Sequence, residues 1–326
     1  MAETKTTIIG CGRWASFLSW YCLRLGHQVM IYGRTGSARF QSLESTLQNE
    51  YLTLKGAVHF TSEVMEALKF SDTLLVSIEA QQWRSFCQVL KNTVQEHELA
   101  GKTFVLCMKG LDNASGLRLS EVFEHVVGLQ SVAVWLGPGH VQDFLSEKPN
   151  CMVMDSNDTL LTQQLVQRFD SDLIRFYLGN DLLGNEIGAA AKNVIGIAAG
   201  LLDGSGLTPL KGALMSRGAF EIASLIQAMG GAFHSAYGLA HLGDYQATLF
   251  SEHSHNRRFG EAFVKGESFE RLAEGVGTLE VLLRCGWTYK VDLPICEAVD
   301  LIINQQQDPQ KVLCQLLARP VTVEFD

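Results

Sequence analysis

The stretch 6–37, "TTIIGCGRWASFLSWYCLRLGHQVMIYGRTGS", constrains the fold more than any other part of the chain. A short strand-like run at 6–9 enters Gly10-Cys11-Gly12-Arg13-Trp14-Ala15, a helical pattern follows, and a second strand-like run occupies 28–32. In a G-x-G-x-x-A turn, the first glycine permits the tight turn. The second lets the backbone approach a pyrophosphate, and the alanine lets helix and strand pack closely. The helix N-terminus offers unpaired N–H groups to phosphate. Glycine-rich turns also occur for purely structural reasons, but this one opens a βαβ unit, the context that dinucleotide binding requires.

The alternation continues. Strand-like runs recur at 73–78, 103–108, 131–136 and 151–155, with helical segments between them. Runs such as "TLLVSI" and "SVAVWL" are apolar on both faces, as in a parallel sheet covered by helices on both sides. The pattern predicts an α/β fold: an N-terminal Rossmann-type doubly wound sheet over residues 1–182. From 183 to 326 the patterns are mostly helical, so the second domain is expected to be all-helical.

Composition narrows the function classes. The chain has 326 residues, enough for two domains, and a formal net charge of −9, which disfavours nucleic-acid binding through bulk electrostatics. No window reaches the roughly 18 uninterrupted apolar residues of a membrane span. The polar lead "MAETKTT" has no signal-peptide pattern. Eight cysteines include no CxxC pair and read as reduced thiols of a cytoplasmic protein, and the nine histidines show no metal-ligand spacing.

The end of the second strand distinguishes the nicotinamide cofactors. An acid there would bind the ribose 2′-hydroxyl of NAD. Here "IYGRTGS" has none; Arg34, with Thr35 and Ser37 nearby, suits a 2′-phosphate. NADP(H) is the expected cofactor, with NAD(H) second; the alternative role for Arg34 is a solvated surface side chain.

Between 187 and 202 the only charged side chain is Lys192. On a helix it shares a face with Gly188, Ala189, Ile195, Gly196 and Ala199. Glycine costs about 1 kcal/mol against alanine inside a helix, so a face this bare needs a packing reason. A lysine there is partly desolvated, which favours its neutral form and suits it to general acid–base work. The alternative is a lysine whose amine snorkels to solvent.

Five motifs together resemble the NAD(P)-dependent glycerol-3-phosphate dehydrogenase family of bacterial type: "GCGRWAS", "CMKGLD", "GPGHVQDF", "GNEIGAAAKNVIGIAAG" and "GLAHLGDYQATLFSEHSHNRRFG". The resemblance implies reversible hydride transfer between NAD(P)H and dihydroxyacetone phosphate, giving sn-glycerol 3-phosphate for glycerophospholipid synthesis, in a cytoplasmic homodimer. It makes Lys192, Lys109, Asp244 and Asn193 catalytic. It implies cofactor contacts from Gly10, Gly12, Arg13, Trp14, Arg34, Thr35, Lys109, Gly137, Gly139, Val141 and Glu274. Substrate contacts would come from Lys109, Gly137, Lys192, Asp244, Thr248, Ser254, His255 and Asn256. No metal is implied.

The chain departs from the family pattern in places. The family has glycine at Ala15, serine at Gly139, alanine at Val141 and often proline at Ile78. Most consequentially, it has an arginine that grips the substrate phosphate where His255 stands. A neutral imidazole is a poor substitute for a bidentate guanidinium. Three outcomes follow: His255 binds phosphate when protonated, the neighbouring Arg257 takes over, or the substrate differs. The alternative functions are therefore a dehydrogenase of another small hydroxy compound, or a nucleotide-binding protein without turnover.

Overall fold

The computed structural model describes residues 4–128, 131–270, 273–320 and 323–324. The chain divides into two compact units, Met1–Glu186 and Ile187–Asp326.

The first unit is built on one eight-stranded sheet: β1 (Lys5–Ile9), β2 (Gln28–Tyr32), β3 (Val58–Thr61), β4 (Thr73–Val76), β5 (Thr103–Leu106), β6 (Ser131–Leu136), β7 (Asn150–Ser156) and β8 (Ile174–Leu178). Its spatial order is β3-β2-β1-β4-β5-β6-β7-β8. The first six strands follow the doubly wound Rossmann order, in which ligands bind beyond the strand ends where the order reverses, here between β1 and β4. All pairings are parallel except β6 with β7. The helices of this unit are α1 (Arg13–Arg24), α2 (Ala38–Thr46), α3 (Val64–Phe70), α4 (Ala80–Thr93), the single turn α5 (Glu96–Leu99), α6 (Leu119–Val127), α7 (Val141–Leu145) and α8 (Thr159–Phe169).

Central strands are buried on both faces, as in β4, where all four residues are inaccessible. The two strands that sequence patterns do not indicate, β3 and β8, lie at the sheet's edges and are only partly buried. The core between sheet and helices is rich in rings. Phe17 stacks on Phe144 at 4.9 Å, and Trp135 meets Phe176 edge-on at 4.7 Å.

Next in the chain comes α9 (Leu182–Gly204), followed by α10 (Lys211–Ala228), α11 (His255–Lys265), α12 (Glu274–Tyr289), α13 (Pro294–Ile303) and α14 (Pro309–Leu317). The first turn of α9 belongs to the first unit and is firmly anchored there. Buried Glu186 accepts from the Ser120 backbone N–H and hydroxyl and pairs with Arg118 at 2.7 Å. Among the described residues, α9 is the one helix long and apolar enough to cross a membrane, but 89% of that window is buried inside the protein. It is a core helix.

The glycines of α9 explain its packing. A Cβ at Gly200 would lie 1.9 Å from the Arg257 carbonyl oxygen, and one at Gly204 would lie 2.7 Å from the Val264 Cβ. Reciprocally, a Cβ at Gly260 of α11 would lie 2.3 Å from the Ile197 carbonyl oxygen. Two helix backbones therefore approach closely along a glycine stripe. The second half of the bare face is covered by another helix.

Candidate functional site

Gly10 follows β1 with φ +122°, and a Cβ there would meet the Ser77 carbonyl oxygen at 2.3 Å. Only glycine lets β1 and the end of β4 come this close. Ile78, at the same place, supplies the side-chain atom nearest that point. Gly12 is the N-cap of α1 and makes no side-chain cap bond. A Cβ on it would find nothing within 4 Å. An uncapped helix N-terminus facing open space fits a pyrophosphate.

The neighbouring side chains are engaged within the unit. Arg13 donates to Gln142 and lies over the Tyr51 ring at 5.2 Å. Trp14 packs on Phe17 at 4.8 Å. Arg34 and Thr35 are exposed in the turn after β2. Ser37 caps α2 there and lies 3.7 Å from the Cys11 sulfur, so the glycine turn and the β2 end meet.

Lys109 lies just beyond β5, and its Nζ donates to the Gly137 carbonyl just beyond β6 at 2.8 Å. Adjacent parallel strands thus bring two expected site residues together. Gly137 (φ +133°) and Gly139 (φ +140°) both need glycine's freedom, and the Phe144 ring sits 2.4 Å from where a Gly139 Cβ would be. Val141 is 2% exposed and packs into the core, so its backbone alone is available to a ligand.

In the second unit, α9 places Lys192 against the turn around Asp244. The Lys192 amine pairs with Asp244 Oδ2 at 2.6 Å and donates to the Thr248 hydroxyl at 2.9 Å. Both side chains of the pair are buried, Asp244 at 1% exposed. The amine that the sequence places on a bare helical face thus has an anionic partner. The glycines one turn either side of Lys192 make room for this partner. A Cβ at Gly188 would lie 2.9 Å from the His241 Cβ, and one at Gly196 would lie 2.8 Å from Thr248 Cγ2. Thr248 lies within a single turn of π-helix, Gln246–Phe250, a distortion frequent at functional sites.

Asn193 is buried, and its backbone carbonyl lies 2.8 Å from where a Gly275 Cβ would stand. Asn256 accepts from the Gly275 backbone N–H at 3.0 Å, capping α12 from outside. Glu274 is exposed as the first residue of α12. Ser254 is the N-cap of α11 and His255 its first residue, half-buried.

Arg257, the neighbour that could replace the arginine missing at 255, is engaged with carboxylates of its own unit. Its guanidinium pairs with Asp203 at 2.7 Å and Glu261 at 3.0 Å, and Lys211 holds the same Asp203 carboxylate at 2.5 Å. These cations keep the Asp203 carboxyl below its usual range despite burial. Arg258 is exposed, 5.9 Å from the Phe269 ring centre.

His241 lies within the motif 238–260, yet the resemblance gives it no role. It is fully buried, with Nδ1 2.7 Å from the Gly188 carbonyl oxygen and Nε2 2.7 Å from the Tyr245 hydroxyl. The signal in the sequence is its place in that motif, three residues before Asp244. Among the described residues, no group of three or more His, Cys, Asp or Glu could hold a metal ion.

A Rossmann-type unit with an open dinucleotide turn, joined in sequence to a helical unit that buries a lysine–aspartate pair, defines the class of NAD(P)-dependent dehydrogenases. Two family profiles match. NAD-dependent glycerol-3-phosphate dehydrogenase N-terminus covers residues 5–161, and NAD-dependent glycerol-3-phosphate dehydrogenase C-terminus covers residues 181–314. Glycerol-3-phosphate dehydrogenase [NAD(P)+] of Agrobacterium fabrum is 32% identical, over 99% of this chain and 100% of that protein. The protein of the same name from Lacticaseibacillus paracasei is 31% identical, over 99% and 97%. The crystal structure of a Coxiella burnetii glycerol-3-phosphate dehydrogenase shares the fold with a TM-score of 0.89, at 24% identity over 97% of this chain and 99% of that one. The chain belongs to the NAD-dependent glycerol-3-phosphate dehydrogenase family.

Proposed function

We propose that the chain is a glycerol-3-phosphate dehydrogenase that reduces dihydroxyacetone phosphate reversibly to sn-glycerol 3-phosphate with NAD(P)H. The observation that carries this is Lys192, buried against Asp244 and Thr248 on a helix cleared of side chains on either side. NAD(P)H, when bound, would supply the hydride. Lys192 gives a proton to the carbonyl oxygen in reduction and takes one from the hydroxyl in oxidation, with Asp244 orienting its ammonium. Asn193 and Lys109 also bind the substrate; Lys109 is held on the Gly137 carbonyl.

Residues 1–182 bind the cofactor through Gly10, Gly12 and the first-turn N–H groups of Arg13 and Trp14. Gly137, Gly139, the Val141 backbone and Glu274 add contacts. Arg34, Thr35 and Ser37, exposed or half-exposed without an acid among them, support a preference for the 2′-phosphate of NADP(H). Residues 183–326 bind the substrate, whose phosphate is taken by Ser254, His255 and Asn256 at the start of α11. The eight free cysteines support a cytoplasmic location, with the product feeding glycerophospholipid synthesis. Exposed Trp287, Tyr289 and Leu317 on the second unit support a homodimer.

Purified protein with dihydroxyacetone phosphate is expected to oxidise NADPH faster than NADH, and Arg34→Ala to reduce that ratio. Lys192→Ala is expected to lower kcat by about 10²–10⁴-fold, the usual contribution of a general acid. Unimpaired turnover in Lys192→Ala would remove the lysine from the mechanism.

A further inference from the structure

The segment 241–248 meets α9 in register. His241 lies against Gly188, Asp244 against Lys192 and Thr248 against Gly196, each step on α9 being about one helical turn. Asp244 and Thr248 reach the amine; the imidazole instead makes the bonds to Gly188 and Tyr245 already described. A carbonyl oxygen can only accept, so Nδ1 carries the hydrogen and Nε2 accepts from the Tyr245 hydroxyl. Both ring nitrogens are thereby satisfied in the neutral form. Gly188 is the residue that admits the ring, since any Cβ there would crowd the His241 Cβ.

We propose that His241 is a positioning residue for proton transfer at Lys192: as a neutral imidazole bonded to Gly188 and Tyr245, it pins the turn carrying Asp244 to the helix carrying Lys192. The inference rests on Lys192 being the proton donor. Burial pushes the imidazole down to about 4, against the pull of the Gly188 and Gly218 carbonyls. Nearby Lys192 lowers it further and Asp244 raises it. The ring therefore stays uncharged at neutral pH and brings no second cation beside Lys192. Without the ring, the Asp244 turn would be attached to α9 mainly through the catalytic groups themselves, and their geometry would loosen.

The test compares wild type, Lys192→Ala, His241→Ala, His241→Asn and Tyr245→Phe in the full chain. It reads steady-state kinetics with NADPH and dihydroxyacetone phosphate, thermal melting, and hydrogen exchange across 241–248. Asparagine keeps a donor near the place of Nδ1. His241→Ala is expected to lose about tenfold or more in kcat, with KM for dihydroxyacetone phosphate changed by less than about threefold, while melting well above the assay temperature. Exchange across the turn should accelerate in His241→Ala, and His241→Asn should recover most of the protection and of kcat. A kcat for folded His241→Ala within about twofold of wild type, or equal losses in the alanine and asparagine variants, overturns the proposal. An inactive wild type, or an active Lys192→Ala, counts against the reading of the site; unchanged exchange protection in His241→Ala then overturns the pinning independently. If His241→Ala does not fold, Tyr245→Phe decides, since it removes only the bond to Nε2: faster exchange across the turn with lower kcat supports the proposal, and wild-type values of both overturn it.

Discussion

His255 is the residue at which this chain differs most consequentially from what the family resemblance implies. It is half-buried as the first residue of α11, beside the capping Ser254. Arg257, one possible substitute, is committed to Asp203 and Glu261. On the proposed function, phosphate binding would depend on one imidazole and on the first-turn N–H groups of α11, a weaker grip than a guanidinium fork. His255→Arg is expected to lower KM for dihydroxyacetone phosphate by about tenfold, equivalent to about 1.4 kcal/mol, with kcat within about threefold. The phosphate does not take part in the hydride or proton step, so a gain there is uniform binding, which moves KM rather than kcat. Steady-state kinetics over a range of substrate concentrations checks this. An unchanged KM would place the phosphate on other groups.

At the scale of elements, the glycines of α9 decide how the helices pack. Replacing glycine by alanine in a helix gains up to about 1 kcal/mol in propensity. At Gly200 the new methyl would lie 1.9 Å from the Arg257 carbonyl oxygen, a backbone atom that cannot rotate away. Overpacking typically costs about 1–3 kcal/mol and here exceeds the gain. Gly200→Ala is therefore expected to lower the melting temperature by several degrees. Gly212→Ala, on exposed α10 surface with nothing within 4 Å of the added atom, should hold or raise it. Differential scanning calorimetry of the two variants separates close packing from helix propensity; equal shifts would contradict the packing argument. The same glycines mark what sequence can and cannot reveal. Spacing along 187–202 exposes a bare helical face around Lys192, because helical periodicity is local. It does not reveal that α11 covers one half and the His241–Thr248 segment the other, because those contacts join residues about 50 to 60 positions apart. Six strands are legible for the same local reason, whereas β3 and β8 are short edge strands with broken apolar patterns. Lys109 with Gly137, and Lys192 with Asp244 and Thr248, are legible through motif resemblance and meet in space. His241 lies inside one of the quoted motifs, but the resemblance assigns it no role, and its bonds to Gly188 and Tyr245 appear only in the fold.

Over the whole molecule, two buried groups in the helical unit pull stability in opposite directions with pH. Glu221 of α10 caps α13 from outside, accepting from the Ile295 and Cys296 N–H groups at 2.8 and 3.1 Å. Burial nonetheless pushes its carboxyl up to about 7, since two backbone donors do not replace full hydration. Unfolded, the same carboxyl titrates near its ordinary 4.5. Between these values the folded chain binds more protons than the unfolded one, so Glu221 destabilises the fold progressively as pH rises from about 4.5 to 7, and its effect is constant above. His241 works the other way. Its pKa falls from 6.5 to about 4 on folding, so its contribution is fully present above 6.5 and is lost as pH falls through that window. In wild type the two slopes largely offset each other between pH 4.5 and 6.5. Glu221→Gln removes one of them. Its melting temperature relative to wild type is expected to rise from about pH 5 to about pH 7 and then level off, by an amount corresponding to a few kcal/mol, while its own stability should fall more steeply on acidification than wild type. Calorimetric melting at half-unit pH intervals reads the difference directly. A difference between variant and wild type that stays flat with pH would mean that Glu221 keeps its charge across the range, and that the α13 N-terminus compensates the carboxylate fully.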